Sequence, residues 1–361
     1  MSKPVLFVTG LGKDKARAEN MMELYQAYPG EKVYISGHDP NATSIITSGK
    51  YDLMVIDVFP TVKPKKAIMI WHAIQGGKYI GLDQKGTYYR PEMAKLMDYI
   101  IVAGRGGIDM FERCTGVDRD RIMPLGMPRT DRYFRETKQD PVPGLEDKVV
   151  YMFTSTFRSA SDPPMPEINW HEIDGQLTDG EIFLVKAHPY GREFNIGNCR
   201  HIRQVNTMEP TYKYLLAADV VITDYSSIIF DASLLGKPTV LFEKVKGYAL
   251  RRGMYLHYPW QYSSRYATNE KELLFEVRMA DGLLTSAERD SVNYVAGMCD
   301  GYSCKRISRF IMEVNNNEES RPTVYDPGND GQAGPKAEGT GRRRQRVVVY
   351  LSGMPWRRRS R

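Results

Sequence analysis

Three short groups of side chains in this chain are suited to moving a phosphoryl group. The run Val220-Val221-Ile222 reads as a buried strand, and it leads through Thr223-Asp224-Tyr225 into Ser226 and Ser227, which open a helical segment. Two hydroxyls beside the free N–H groups and positive end of a helix make a seat for a phosphate. His72 follows Ile68-Met69-Ile70-Trp71, and His188 follows Ile182 to Ala187. Each histidine therefore stands at a strand's carboxyl end, where open α/β sheets bind ligands, and a neutral imidazole can take a proton from a hydroxyl near neutral pH. Arg158, after Thr156-Phe157, could fork onto two phosphate oxygens. Asp231, four residues beyond Ser227, reads either as a ribose-hydroxyl ligand or as a charge that supports the helix. Plain structural roles stand beside these readings: a hydrogen-bonded histidine, a helix cap, and an Arg129–Asp131 pair at a domain junction.

The elements that position these groups alternate. Strand signals at Val5 to Thr9, Lys32 to Ile35, Asp52 to Val58, Ala67 to Trp71 and Tyr99 to Ala103 are interleaved with helical spacing at Ala16 to Ala27, Pro91 to Met97 and Ile108 to Cys114. Such a series predicts an open, doubly wound parallel sheet. The prolyl, polar stretch from Arg135 to Lys148 reads as a linker, and a second series starts at Val149. The expected architecture is α/β and GT-B-like, two Rossmann-like domains facing a central cleft. Residues 1–140 form the acceptor-side domain, 141–317 the donor-binding domain, and 318–361 a disordered basic tail.

Composition is that of a globular chain, 42% hydrophobic and 26% charged, with no apolar run of the ~18 residues that a membrane span requires. The short apolar start, Val5 to Val8, reads as a first strand of a cytoplasmic protein rather than a signal peptide. The four cysteines are scattered and the histidines do not cluster, so neither a metal site nor a bound cofactor is expected. Asp118-Arg119-Asp120 reads as a solvated turn, and Gly104-Arg105-Gly106-Gly107 lacks nucleotide-binding spacing. Of the net charge of +6, +5 falls after Asn317, where ten cations face five acids. The nearly neutral body argues against nucleic acid, whereas arginines beside Val347 to Leu351 and Trp356 suit an anionic lipid surface.

Six segments in fixed order resemble the CDP-glycerol glycerophosphotransferases, the teichoic acid primases and polymerases. They are Trp71-His72-Ala73-Ile74 with Lys78 and Gly81; Pro124 to Asp131; Thr156-Phe157-Arg158; Lys186-Ala187-His188-Pro189; Thr223 to Ser227 with Asp231 and Leu235 to Pro238; and Asp300-Gly301 with Arg306. The resemblance covers roughly residues 50 to 310. It implies the two-domain GT-B fold and transfer of a phosphopolyol, glycerol phosphate foremost, from a CDP-polyol to an undecaprenyl-linked acceptor. His72 would be the acceptor-activating base. His188, Arg158, Lys186, Ser226, Ser227 and Asp231 would serve the donor. The implied location is the cytoplasmic face of the membrane, with peripheral attachment. Many members read Trp-His-Gly-Thr-Pro where this chain has Trp71-His72-Ala73-Ile74-Gln75, which leaves the polyol and the acceptor open. A nucleotide-sugar glycosyltransferase or epimerase of the same fold, and a non-catalytic membrane-associated assembly protein, are the alternatives.

Overall fold

The computed structural model describes residues 3–10, 19–77, 91–135, 142–158, 167–188, 191, 193–244, 248, 253–263, 265–280 and 282–316. Two all-parallel six-stranded sheets divide the chain. The first holds β1 (Val5–Thr9), β2 (Lys32–Ser36), β3 (Leu53–Ile56), β4 (Lys66–Ile70), β5 (Tyr99–Val102) and β6 (Ile122–Pro124), in the order β2-β1-β3-β4-β5-β6. The second holds β7 (Val149–Thr154), β8 (Glu181–Lys186), β9 (Ile202–Val205), β10 (Val220–Thr223), β11 (Thr239–Phe242) and β12 (Tyr266–Ala267), in the order β12-β11-β10-β7-β8-β9. Most strand residues are apolar and buried, because helices cover both faces of each sheet and no face is left for water.

Strand order reverses between β1 and β3 in the first sheet and between β7 and β10 in the second. At such switch points the loops leave in opposite directions and a crevice opens at the strands' carboxyl ends. The register Thr223↔Thr154↔Lys186 aligns the ends of β10, β7 and β8. The histidine, arginine and serine segments of the second domain therefore emerge together.

The domain boundary differs from the expected division at 317. The helix Ser303–Asn316 lies on the first sheet, where Ile307, Phe310, Ile311 and Val314 pack with Val5, Phe7, Ile68 and Ile101. Each such apolar side chain is worth about 1.5–3 kcal/mol when fully buried, so this helix belongs energetically to the N-terminal domain. Asp131 caps it, with its carboxylate accepting from Ser303 N at 2.9 Å and Cys304 N at 2.7 Å. The preceding helix, Ser286–Ala296, joins the halves: Val292 and Val295 pack in one cluster with Ile74 and Ala103 of the first domain and Phe230 of the second.

This joint explains the glycine-rich turn. A Cβ on Gly104 would stand 2.9 Å from Gly297 N and from Val295 C, so the backbone approach requires glycine. Asp118-Arg119-Asp120 lies at a short 3-10 turn in which Arg119 pairs with Asp109 and Glu112, the surface role expected.

Candidate active site at the domain junction

Asp224 organises the crevice of the second domain. One carboxylate oxygen accepts from the backbone N–H groups of Thr156 at 2.8 Å and Tyr225 at 2.7 Å, and the other accepts from Arg158 Nη1 at 2.7 Å. The loop after β7 and the loop after β10 are thus laced together across the switch point. The Arg158 guanidinium also stands 5.0 Å from the Tyr248 ring, which stacks on Tyr225 with centroids 4.6 Å apart. The Tyr258 hydroxyl donates to the Asp224 carbonyl at 3.1 Å, and the hydroxyls of Tyr225 and Tyr266 share Glu243. Asp224 and this tyrosine cluster were not among the expected site residues. A carboxylate directly after a buried strand was the available signal for Asp224.

Ser226 and Ser227 are half-buried at the start of the helix Ile228–Leu234. Ser227 occupies the N-cap position, yet its side chain makes no capping hydrogen bond. Among the described residues, Ser226 Oγ accepts only a long 3.4 Å contact from Ile228 N. Helix capping therefore does not account for both hydroxyls. His188 is half-buried with its ring centroid 5.4 Å from that of Phe157, so the loops after β7 and β8 converge. Pro189 and Tyr190 lie outside the described residues, as do Lys78, Gly81 and the tail.

On the first domain, His72 is half-buried beyond β4, its ring 4.4 Å from that of Trp71. Its backbone is tied to the second domain by Arg129. Nη1 of Arg129 donates to the His72 carbonyl at 2.6 Å, while Nη2 and Nε grip Asp231 at 2.7, 3.0 and 3.2 Å. Asn20 braces the same ledge, donating to Trp71 O at 3.1 Å and accepting from Arg129 N at 3.0 Å.

Three expectations change here. Arg129 and Asp131 do not pair: Arg129 takes Asp231, and Asp131 caps the C-terminal helix. Asp231 is 1% exposed and also accepts from the Tyr133 hydroxyl at 2.9 Å, so it supports its helix and holds the junction instead of offering an edge to a ribose. Lys186, also 1% exposed, donates to the carbonyls of Asn206 at 3.1 Å and Thr207 at 2.9 Å, so it braces a loop in place of meeting a phosphate directly. Burial lowers the Lys186 ammonium to about 8, with Glu209 and Glu19 opposing the shift. Sequence spacing could not reveal these three changes, because the partners lie 20 or more residues away in the chain.

The first domain's switch point holds a further carboxyl. Asp57 is 1% exposed, accepting from Thr9 Oγ1 and from Gly10 N at 2.7 Å each. Burial pushes it up to about 6, against these hydrogen bonds. Among the described residues no three His, Cys, Asp or Glu side chains converge as metal ligands, and no helix is long and apolar enough to cross a membrane.

Residues 38–313 match the family model for CDP-Glycerol:Poly(glycerophosphate) glycerophosphotransferase. The chain is 29% identical over 238 residues to a teichoic acid poly(ribitol-phosphate) polymerase of Bacillus spizizenii, covering 57% of this chain and 38% of the relative. It is 26% identical over 256 residues to a teichoic acid glycerol-phosphate primase of Bacillus subtilis, covering 66% and 65%. The chain thus spans less than two thirds of either relative. Among solved structures, the wall teichoic acid polymerase TagF superposes with a TM-score of 0.68 at 18% identity, covering 87% of this chain and 89% of that one. A putative UDP-N-acetylglucosamine 2-epimerase from Listeria monocytogenes does so with a TM-score of 0.60 at 13% identity, covering 90% and 100%. These two likenesses establish the GT-B-like fold and nothing finer. With a family match over residues 38–313, most of its length, the chain belongs to the CDP-glycerol:poly(glycerophosphate) glycerophosphotransferase family.

Proposed function

We propose that this chain transfers a phosphopolyol, glycerol phosphate foremost, from a CDP-polyol to a hydroxyl of a lipid-linked acceptor in teichoic acid or related envelope polymer synthesis. The observation that carries the reading is Arg129, whose one guanidinium binds both the carbonyl of His72 and the helix that Ser226 and Ser227 open. It joins a proton acceptor on one domain to hydroxyl donors on the other.

In this reading His72 takes the proton of the acceptor hydroxyl as its oxygen attacks the phosphorus nearer the polyol. The bond from that phosphorus to the CMP oxygen breaks. Ser226, Ser227 and the Arg158 guanidinium stabilise the phosphate that leaves, with His188 beside them as hydrogen-bond or proton donor. Asp224 acts through Arg158 and the Thr156 amide by fixing where they point. The basic end of the sequence fits work at the inner face of a membrane.

Calorimetric titration of the purified chain with CDP-glycerol, CDP-ribitol, CDP and UDP-N-acetylglucosamine tests the donor. Preference for a CDP-polyol is expected, and preference for the UDP-sugar overturns the reading. His72→Ala should abolish turnover and spare CDP binding; wild-type turnover in that variant would remove His72 from the role of base.

A further inference from the structure

We propose that residues 253–263 form a strap that sets the His72 loop and the donor crevice in one piece, with Tyr262 and Tyr258 as its positioning residues. These roles rest on the phosphopolyol-transfer reading above. The segment runs between β11 and β12 of the second domain, and it packs over the joint: Leu256, Tyr258 and Tyr262 share an apolar cluster with Ile74 and Ala103 of the first domain and Phe230 of the second.

Toward the first domain, the strap grips the loop that carries His72. The hydroxyl of Tyr262, a residue 3% exposed, donates to the Gly76 carbonyl at 3.1 Å, and the Tyr255 amide donates to the Gly77 carbonyl at 2.9 Å. The same loop is held from its own domain: Gln75 Oε1 accepts from Ala103 N at 3.1 Å, and Arg129 holds the His72 carbonyl. Glycine at position 76 permits the approach, since its φ is +128° and a Cβ there would stand 2.2 Å from Val295 Cγ1. His72 therefore sits in a loop pinned by both domains, four residues before the carbonyl that Tyr262 holds.

Toward the second domain, the strap meets the crevice. The Tyr258 hydroxyl donates to the carbonyl of Asp224, whose carboxylate holds Arg158 and the Thr156 amide. The Tyr258 ring lies 4.9 Å from that of Tyr225, the residue before the paired serines, and the Tyr262 ring lies 5.8 Å from Phe230 on the helix they open. The strap also braces itself. Gln261 Oε1 accepts from His257 N at 2.6 Å, Tyr262 N donates to Pro259 O at 2.8 Å, and the rings of Tyr258 and Tyr262 stand 5.6 Å apart. A piece so braced cannot shift one tyrosine far without the other, and a misplacement of about 1 Å at reacting groups can cost on the order of a hundredfold in rate. A donor that loads Arg158 and the serines thus steadies the piece that places the base.

Full-length wild type, Tyr262→Phe, Tyr258→Phe and the double variant are titrated calorimetrically with CDP. Turnover is read as CMP released from the CDP-polyol that wild type binds best, with a synthetic prenyl-diphosphate-linked disaccharide as acceptor, and is expressed per CDP-binding site so that a less stable variant still yields a rate. Tyr262→Phe should lower kcat about tenfold and leave CDP affinity unchanged, a split that general loosening of the fold would not produce. Tyr258→Phe should weaken CDP by about threefold to tenfold. In the double variant the losses in kcat/KM should combine to less than their product, because a strap released at one end no longer positions the other. Wild-type kcat in Tyr262→Phe, equal losses of kcat and CDP affinity in that variant, or losses that multiply in full overturns the inference. A wild type that binds no CDP-polyol overturns the transfer reading itself, which is a different result.

Discussion

Arg129 and Asp231, 102 residues apart, form a fork-to-carboxylate pair across the domain junction, and the guanidinium is also hydrogen-bonded to the His72 carbonyl. With Arg129 14% and Asp231 1% exposed, the pair is shielded from solvent and from salt. Its value is therefore geometric: it sets one domain's histidine against the other domain's serine helix.

Arg129→Lys keeps the charge and loses the fork, and an ammonium cannot grip both carboxylate oxygens and the His72 carbonyl in the same plane. We expect kcat to fall well beyond the change in donor KM. Asp231→Ala strands a buried cation and should destabilise the fold by about 3–5 kcal/mol. A double-mutant cycle of Arg129→Ala with Asp231→Ala, read by chemical denaturation, should give coupling of about 1–3 kcal/mol; additive effects would show that the pair does not act as a unit.

Ser227→Ala separates capping from binding. An N-cap serine usually contributes about 0.5–2 kcal/mol, but this side chain makes no cap bond, so the melting temperature should barely move. Affinity for a CDP-polyol should drop, more so with Ser226→Ala added. Lost stability at unchanged affinity would return both serines to a structural role.

Asp57 makes stability depend on pH with a sign opposite to that of a salt-bridged carboxylate. Its folded value of about 6 lies above the ordinary 3.8, so between those values the native state keeps a proton that the unfolded chain has released. Stability is then fullest below pH 4 on this account and declines as pH rises towards 6, by about 2 to 3 kcal/mol in total. Denaturation at pH 4, 5, 6 and 7 should show this decline in wild type and not in Asp57→Asn. Parallel curves would mean that Asp57 is ionised in the fold at pH 4.

Gly104→Ala would drive a methyl against the backbone of Val295 and Gly297. The helix Ser286–Ala296 would have to shift, at a cost of about 1–3 kcal/mol. Because that helix joins the domains, we expect kcat to fall together with the melting temperature. A variant as stable and active as wild type would show that the close approach is not needed.

The alternation of strand and helix, the parallel sheets and the points where His72, His188, Arg158 and the serines leave their strands were all legible in the sequence. They depend on local periodicity and on the rule that open sheets bind at their carboxyl ends. The family followed from six short segments in order. Partner choice was not legible. Arg129 pairs with Asp231 instead of Asp131, Lys186 settles on two carbonyls, and Asp224 laces two loops, because chain crossings between remote elements decide which buried charge meets which donor. The domain boundary was likewise hidden: the apolar face of the helix Ser303–Asn316 fits any core, and only the path of the chain through Gly104 and Asp131 returns it to the first sheet. Local sequence determined where reactive groups sit along each strand. The tertiary structure decided which of them remain open to a ligand, since burial and the need to satisfy every buried charge are properties of the assembled fold.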